Sequence, residues 1–166
     1  MGMSVIISAA DAEDAEQILK LQYLGYQAEA ELYGDWAMEP LTQTLESLRA
    51  ELSEQHVLVA RLGDEVVGTV RGRVDDGIGR IGRLVVHPRM QRHGLGGRLL
   101  EALERRLAEG GGHVTAYRLF TGHRSLGNLR LYARQGYRQT NVEQVSGSLS
   151  FVHLEKPVAA PFAATA

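Results

Sequence analysis

Along this chain, stretches in which apolar residues alternate with polar ones trade places with stretches in which they recur every three or four positions. The first pattern belongs to half-buried strands and the second to amphipathic helices. Val5 to Ser8 reads as a short strand. Asp11, with Asp14 three residues on, supplies an acidic start for a helix from Ala12 to about Ala30. A loop holding Tyr33, Gly34, Asp35, Trp36 and Pro40 follows, and Leu41, Leu45, Leu48 and Leu52 predict a second helix from about Thr42 to Ser53. His56–Leu62 and Glu65–Val74 flank a Gly63-Asp64 turn and predict a hairpin. In its second strand Val66, Gly68, Val70, Gly72 and Val74 share one face, which leaves Arg71 and Arg73 on the other, read as solvated. A third strand spans about Gly79 to Val86, and Leu95, Leu99, Ala102, Leu103 and Leu107 then mark one face of a helix ended by Gly110 to Gly112. His113 to Phe120 resumes a strand, and Asn128 to Gln135 forms a short helix closed by Gly136, with Asn128 also suited to cap it. One or two strands between Tyr137 and Glu155 complete the sheet.

Composition narrows the class. With 166 residues, 44% hydrophobic and 23% charged, the chain suits a single domain over residues 1–157, followed by an alanine-rich tail, 158–166, that reads as frayed. A formal charge of −2 and a pI near 6.3 argue against nucleic acid or an anionic membrane as main partner, while Arg89, Arg92 and Arg98 leave room for a local basic pocket. There is no cysteine, and Met1 to Ala10 lacks the basic start and apolar run of an export signal. No segment approaches the roughly 20 apolar residues of a membrane span. These features fit a soluble, cytoplasmic protein. The six histidines show no helical pairing of the kind that binds metal, so no metal site is expected.

The chemistry concentrates in the run from Leu84 to Leu100, where an apolar strand passes through Pro88 and a basic turn into closely spaced Gly94, Gly96 and Gly97. A helix start leaves its first amides unpaired and its dipole positive, and glycines let a phosphate oxygen approach the main chain. The expected ligand is the pyrophosphate of a coenzyme, with Arg92, His93 and Arg98 adding side-chain donors. Gly77, Gly79 and Gly82 also match a dinucleotide pattern letter for letter, but Arg83 to Pro88 after them reads as strand rather than helix. A nucleoside-triphosphate loop is excluded because no Gly-Lys-Ser/Thr follows Gly94.

Two motifs in order, Gln91-Arg-His-Gly94-Leu-Gly96 behind the strand Leu84 to Pro88 and Asn128 to Tyr132 ahead of Gly136-Tyr137, resemble the GNAT superfamily of acyl-CoA-dependent N-acetyltransferases over nearly the whole chain. The resemblance implies an α/β fold with a mixed, mostly antiparallel central sheet, splayed at its middle and flanked by helices on both faces. It implies acetyl-CoA as cosubstrate: Leu84, Val85 and Val86 pairing with the pantetheine arm, the turn Gln91, Arg92, His93, Gly94, Leu95, Gly96, Gly97 and Arg98 holding the pyrophosphate, and Asn128 holding the far arm. It also implies direct attack by a primary amine of a small molecule or peptide, an oxyanion held by the amide of Val85 or Val86, and Tyr132 protonating the departing thiolate.

One family feature is missing. Many relatives carry a glutamate on the strand before the phosphate turn, but Arg80 to Arg83 contains no carboxylate. The general base is therefore open among Glu31, Asp35, Glu39, Asp75, Asp76, His87 and His123, with a water chain or an amine already neutral in solution equally open. That gap keeps an alternative in view, a non-catalytic acyl-CoA sensor or interaction module of the same fold. The acceptor pocket is expected from the loop around Tyr33 to Pro40, read equally as simple anchoring, and from Thr140 to Ser150. The acids Glu29, Glu31, Asp35, Glu39 and Glu143 lean toward a cationic amine. Exposed sheet edges suit a homodimer.

Overall fold

The computed structural model describes residues 4–110 and 113–158. Seven strands, β1 (Val5–Ala9), β2 (His56–Leu62), β3 (Glu65–Asp75), β4 (Ile78–Val86), β5 (Ala116–Gly122), β6 (Arg138–Gln144) and β7 (Ser150–Pro157), form one sheet in the order β1-β2-β3-β4-β5-β7-β6. Every neighbouring pair is antiparallel except β4 and β5. That parallel pair is short: Ile78, Gly79 and Arg80 match Ala116, Tyr117 and Arg118, and beyond them the strands part. The parting follows an irregularity in β4. Its register with β3 slips between Thr69 and Arg71, and Arg83 takes a left-handed φ of 54°. An extra residue of this kind bends a strand and increases its twist.

Helices cover both faces. On one, α4 (Leu95–Glu109) buries Leu95, Leu99, Leu100, Leu103 and Leu107 against Leu58, Val70, Ile81 and Leu119. On the other, α1 (Ala15–Tyr33) and α3 (Leu45–Glu54) bury Ile18, Leu21 and Leu48 over Val57, Val59, Val66 and Val85. A buried leucine is worth roughly 1.5–3 kcal/mol, whereas a missing helix cap costs about 1 kcal/mol. The leucine face therefore holds α4 in place although its N-cap, Gly94, makes no side-chain capping bond.

Several expectations are corrected. Asp11 and Asp14 do form a capping box, but around a 3-10 turn (Ala12–Asp14), and α1 then continues to Tyr33 until Gly34 ends it at a φ of 66°. Tyr33 is thus helical rather than in the loop. The second expected helix is two: a single turn, α2 (Glu39–Thr42), and α3, capped by the Thr44 hydroxyl. β5 starts at Ala116, leaving His113 to Thr115 outside it. The last helix, α5 (Leu126–Arg134), begins two residues early, so Asn128 sits within its first turn and is not its cap.

Arg71 is the largest correction. It is only 4% exposed, not solvated. Its guanidinium donates to Gln22 Oε1 at 3.3 Å and Gln43 Oε1 at 3.2 Å and pairs with Glu51 at 2.7 Å, tying β3 to α1 and α3. Alternation located its face correctly, but that face lies under helices. Gly111, Gly112 and residues 159–166, which include all but the first residue of the expected frayed tail, lie outside the described residues; the amide of Val158 itself donates to the Thr115 carbonyl.

Candidate active site

Where β4 leaves β5, a cleft of about 460 Å³ opens between α1, the second half of β4, the start of α4 and α5. Its floor is main chain. The amide of His87 donates to the Val67 carbonyl, so Val86 opposite Gly68 is a non-hydrogen-bonded pair and Val85 opposite Thr69 the adjoining hydrogen-bonded one. The main-chain groups of Val85 are therefore committed to β3, while those of Val86 turn to the open side. The Gln91 side chain donates to the Val86 carbonyl at 3.3 Å. α1 crosses this floor closely at Gly25, where any Cβ would collide with Val85 Cγ1.

The floor runs into the start of α4. Between them His87 Nδ1 accepts from the Arg89 amide and opens a 3-10 turn (Pro88–Met90). Arg92 and Gly94 then take left-handed φ values of 69° and 74°. Such a conformation is costly for arginine and marks a turn imposed by its surroundings. The first helical bond is Arg98 N–H to the Gly94 carbonyl, 3.1 Å. The amides of Leu95, Gly96 and Gly97 are thus the orphan donors of a helix start, unbonded among the described residues and open to the cleft. Gly96 has a second reason to be glycine: its Cβ would stand 3.1 Å from Leu131 Cδ2 of α5.

Leu84, Val85, Val86, Gln91, Arg92, Gly94, Leu95, Gly96, Gly97 and Asn128 all line this cleft. His93 and Arg98 do not; Arg98 turns away, and its guanidinium donates to the Val5 carbonyl at 3.2 Å. Asn128 donates to Thr121 Oγ1 at 3.1 Å, which fixes its amide at the cleft edge. Tyr132, one turn further along α5, lies behind the lining and is 6% exposed, its ring 6.0 Å from that of Tyr137. Burial first, and then the nearby Tyr26 and Glu29, push its hydroxyl far above the ordinary tyrosine value, so it holds its proton at physiological pH.

Eight lining residues were not among the expected site residues: Met90 in the turn, Gly127 and Leu131 on α5, and five more. Arg130 and Arg134 lie one turn apart on α5, facing the cleft near the start of α4, and their four-residue spacing was the available signal. Gly25, Tyr26 and Glu29 come from α1; of these only Glu29 had been singled out, as one of five acids leaning toward a cationic amine and not as part of this cleft. Glu29 is the one carboxylate among the lining residues described. The expected base candidates lie elsewhere. Glu39 pairs with Arg83 at 3.2 Å, Asp75 with Arg80 at 3.5 Å, Asp35 accepts from the Ala37 amide, and His123 binds the main chain of Ser150. Tyr33 proves to be an anchor: its hydroxyl accepts from the Arg124 amide and bonds Ser125, and Ser148 donates to its carbonyl, which brings the β6–β7 turn to the end of α1.

A split sheet, a free strand edge and an uncapped glycine helix start define a cleft for an extended, phosphate-bearing ligand. The acetyltransferase (GNAT) family model matches residues 16–137, and the chain belongs to that family. Among solved structures it is similar to the PaiA N-acetyltransferase of Thermoplasma acidophilum in complex with coenzyme A, at 20% identity and a TM-score of 0.77, covering 94% of this chain and 100% of that one. The ribosomal-protein-S18-alanine N-acetyltransferase of Escherichia coli is 16% identical with a TM-score of 0.76, over 95% of this chain and 96% of that one. The yncA protein of Salmonella typhimurium with its cofactor acetyl-CoA is 21% identical with a TM-score of 0.73, over 96% and 99%. No curated protein matches the chain in sequence. Among the described residues no helix is long and apolar enough to cross a membrane, and no group of three His, Asp or Glu could hold a metal ion.

Proposed function

We propose that the protein transfers the acetyl group of acetyl-CoA to a primary amine of a small molecule or peptide terminus. The observation that carries this reading is the continuity of the free β4 edge at Val86 with the unpaired amides of Leu95, Gly96 and Gly97. An amide-bearing arm fits the first and a pyrophosphate the second. Arg92, Arg130 and Arg134 supply charge for the phosphates, and Asn128 a polar contact for the arm. Acetyl-CoA brings an activated thioester. Of the two oxyanion donors first expected, the Val86 amide is free for that role, since Val85 is held by Thr69. Tyr132 is kept protonated by burial, so its hydroxyl is a proton donor held for the leaving thiolate.

The alternative, a non-catalytic acyl-CoA-binding module, rests on Gly82, which stands in the stretch where many relatives place a glutamate and has nothing within 4 Å of its Cβ position. Calorimetry with acetyl-CoA, CoA and ADP, followed by thiol release over a panel of alkylamines, amino acids and peptides, separates the two. Micromolar acetyl-CoA binding with turnover of some amine supports the enzyme. Binding without any turnover favours the module, and no binding by any of the three ends both readings.

A further inference from the structure

The acetyl-transfer reading leaves the amine's proton without a destination, because its usual strand carboxylate is absent. We infer that Glu29, projecting from α1 into the cleft, is the carboxylate that receives the acceptor ammonium and takes its proton; the inference rests on the proposed acetyltransferase function. Three observations meet here. Glu29 is the one acid among the described residues that line the cleft, which Leu84 and Val86 also line. One of its oxygens is anchored: Ser125 Oγ donates to Oε2 at 2.6 Å, which leaves the Tyr33 hydroxyl to donate to Ser125 at 2.8 Å and the Arg124 amide to donate to Tyr33 at 2.9 Å. Such a directed chain ends in an oriented, polarised acceptor. Oε1 has no hydrogen bond among the described residues and is free for a ligand.

The surroundings suit a cation. Tyr26 on the same helix and Tyr132 on α5 both feel the charge of Glu29, and neither is ionised, since burial raises both hydroxyls. Arg83 on β4 lies near Tyr26 and is paired with Glu39, while His123 and Arg124 from the β5–α5 connection pack on the end of α1 rather than on the carboxylate. The step balances. The ammonium gives one proton to Glu29, its nitrogen lone pair forms the C–N bond to the acetyl carbon, and the C–S bond breaks with the electron pair going to sulfur. Tyr132 protonates that thiolate and is restored by the second nitrogen proton; Glu29 returns its proton to water.

The test is the pH profile of Glu29→Gln beside the native protein, using the best alkylamine of the panel. The amide preserves an acceptor for Ser125 but cannot take a proton. A primary amine with a pKa near 10.4 is almost wholly charged at pH 7, so the variant should lose on the order of 10²-fold or more in kcat/KM there. The deficit should shrink roughly tenfold per pH unit as solution deprotonates the amine toward pH 10. Acetyl-CoA affinity, read by calorimetry, should stay within about twofold. A deficit constant across pH 7 to 10, or no deficit, overturns Glu29 while leaving the acetyltransferase reading intact. A native protein that binds acetyl-CoA yet acetylates no amine overturns both.

Discussion

At its α4 end the cleft is walled by main-chain amides and by Arg92, Arg130 and Arg134, whereas at its α1 end it is walled by side chains, Tyr26 and Glu29, with Tyr132 behind them. The main-chain part of the first end is a local object, one strand, one turn and one helix start within residues 84–98, to which α5 adds Arg130 and Arg134. The second is assembled from residues roughly a hundred positions apart, and only the fold brings them together. The α4 end can therefore bind through geometry that almost any sequence with the right glycines supplies, while the α1 end carries whatever distinguishes this chain chemically.

The largest effect that would sharpen this contrast lies with Tyr132. Tyr132→Phe removes a buried hydroxyl but keeps the ring against Tyr137, and as the proposed acid its loss should lower kcat by on the order of 10²–10⁴-fold while acetyl-CoA affinity barely moves. Steady-state kinetics beside calorimetry decide it. Equal losses in both would make Tyr132 a packing residue and dissolve the division of labour between the two ends.

The converse comes from the α4 end. Gly96→Glu would set a negative charge beside the orphan amides and press a side chain on Leu131. Like charges in contact cost several kcal/mol, so acetyl-CoA affinity should fall by about 10²-fold or more. Unchanged affinity would mean that the amides of Leu95, Gly96 and Gly97 do not face the phosphates.

The same contrast explains how much could be read from residues alone. Strand β2 followed from an apolar run ahead of the Gly63-Asp64 turn and the apolar stripe of α4 from its spacing, and the decoy glycines Gly77, Gly79 and Gly82 do lie in the β3–β4 turn and in β4. The glycine junction was legible as a turn into a helix because that structure is main-chain geometry, which glycine spacing encodes directly. Glu29 was not. On a helix, an acid that lines a cleft and one that faces water have the same periodicity, and only Ser125, almost a hundred residues on, separates them. Arg71 failed similarly: a strand pattern gives two faces but not which of them a helix will cover.

Each end also rests on a buried charge, and here the comparison yields its smallest and most structural prediction. Under the α1 end Arg71 joins Glu51, Gln22 and Gln43. Under the α4 end Glu104, 7% exposed, accepts from the Tyr137 hydroxyl and from Lys156, both at 2.8 Å, and so locks α4 to the start of β6 and to β7. Glu104→Gln keeps an acceptor for Tyr137 but leaves Lys156 without its counter-charge. Because Lys156 is partly exposed and can turn to water, the loss should be about 1–2 kcal/mol in denaturant unfolding at pH 7, well below that for a fully enclosed pair. Burial, then the charge and hydrogen bond of Glu104, push the Tyr137 hydroxyl far above its ordinary value of 10.0. A raised folded-state value means that its stabilising share is complete below about pH 10 and is lost as pH climbs beyond it. Without the Glu104 charge that alkaline loss is smaller, so the gap between native and variant should narrow above pH 10. A gap that stays constant would place the cost in packing and would remove the charge lock from under the α4 end of the cleft.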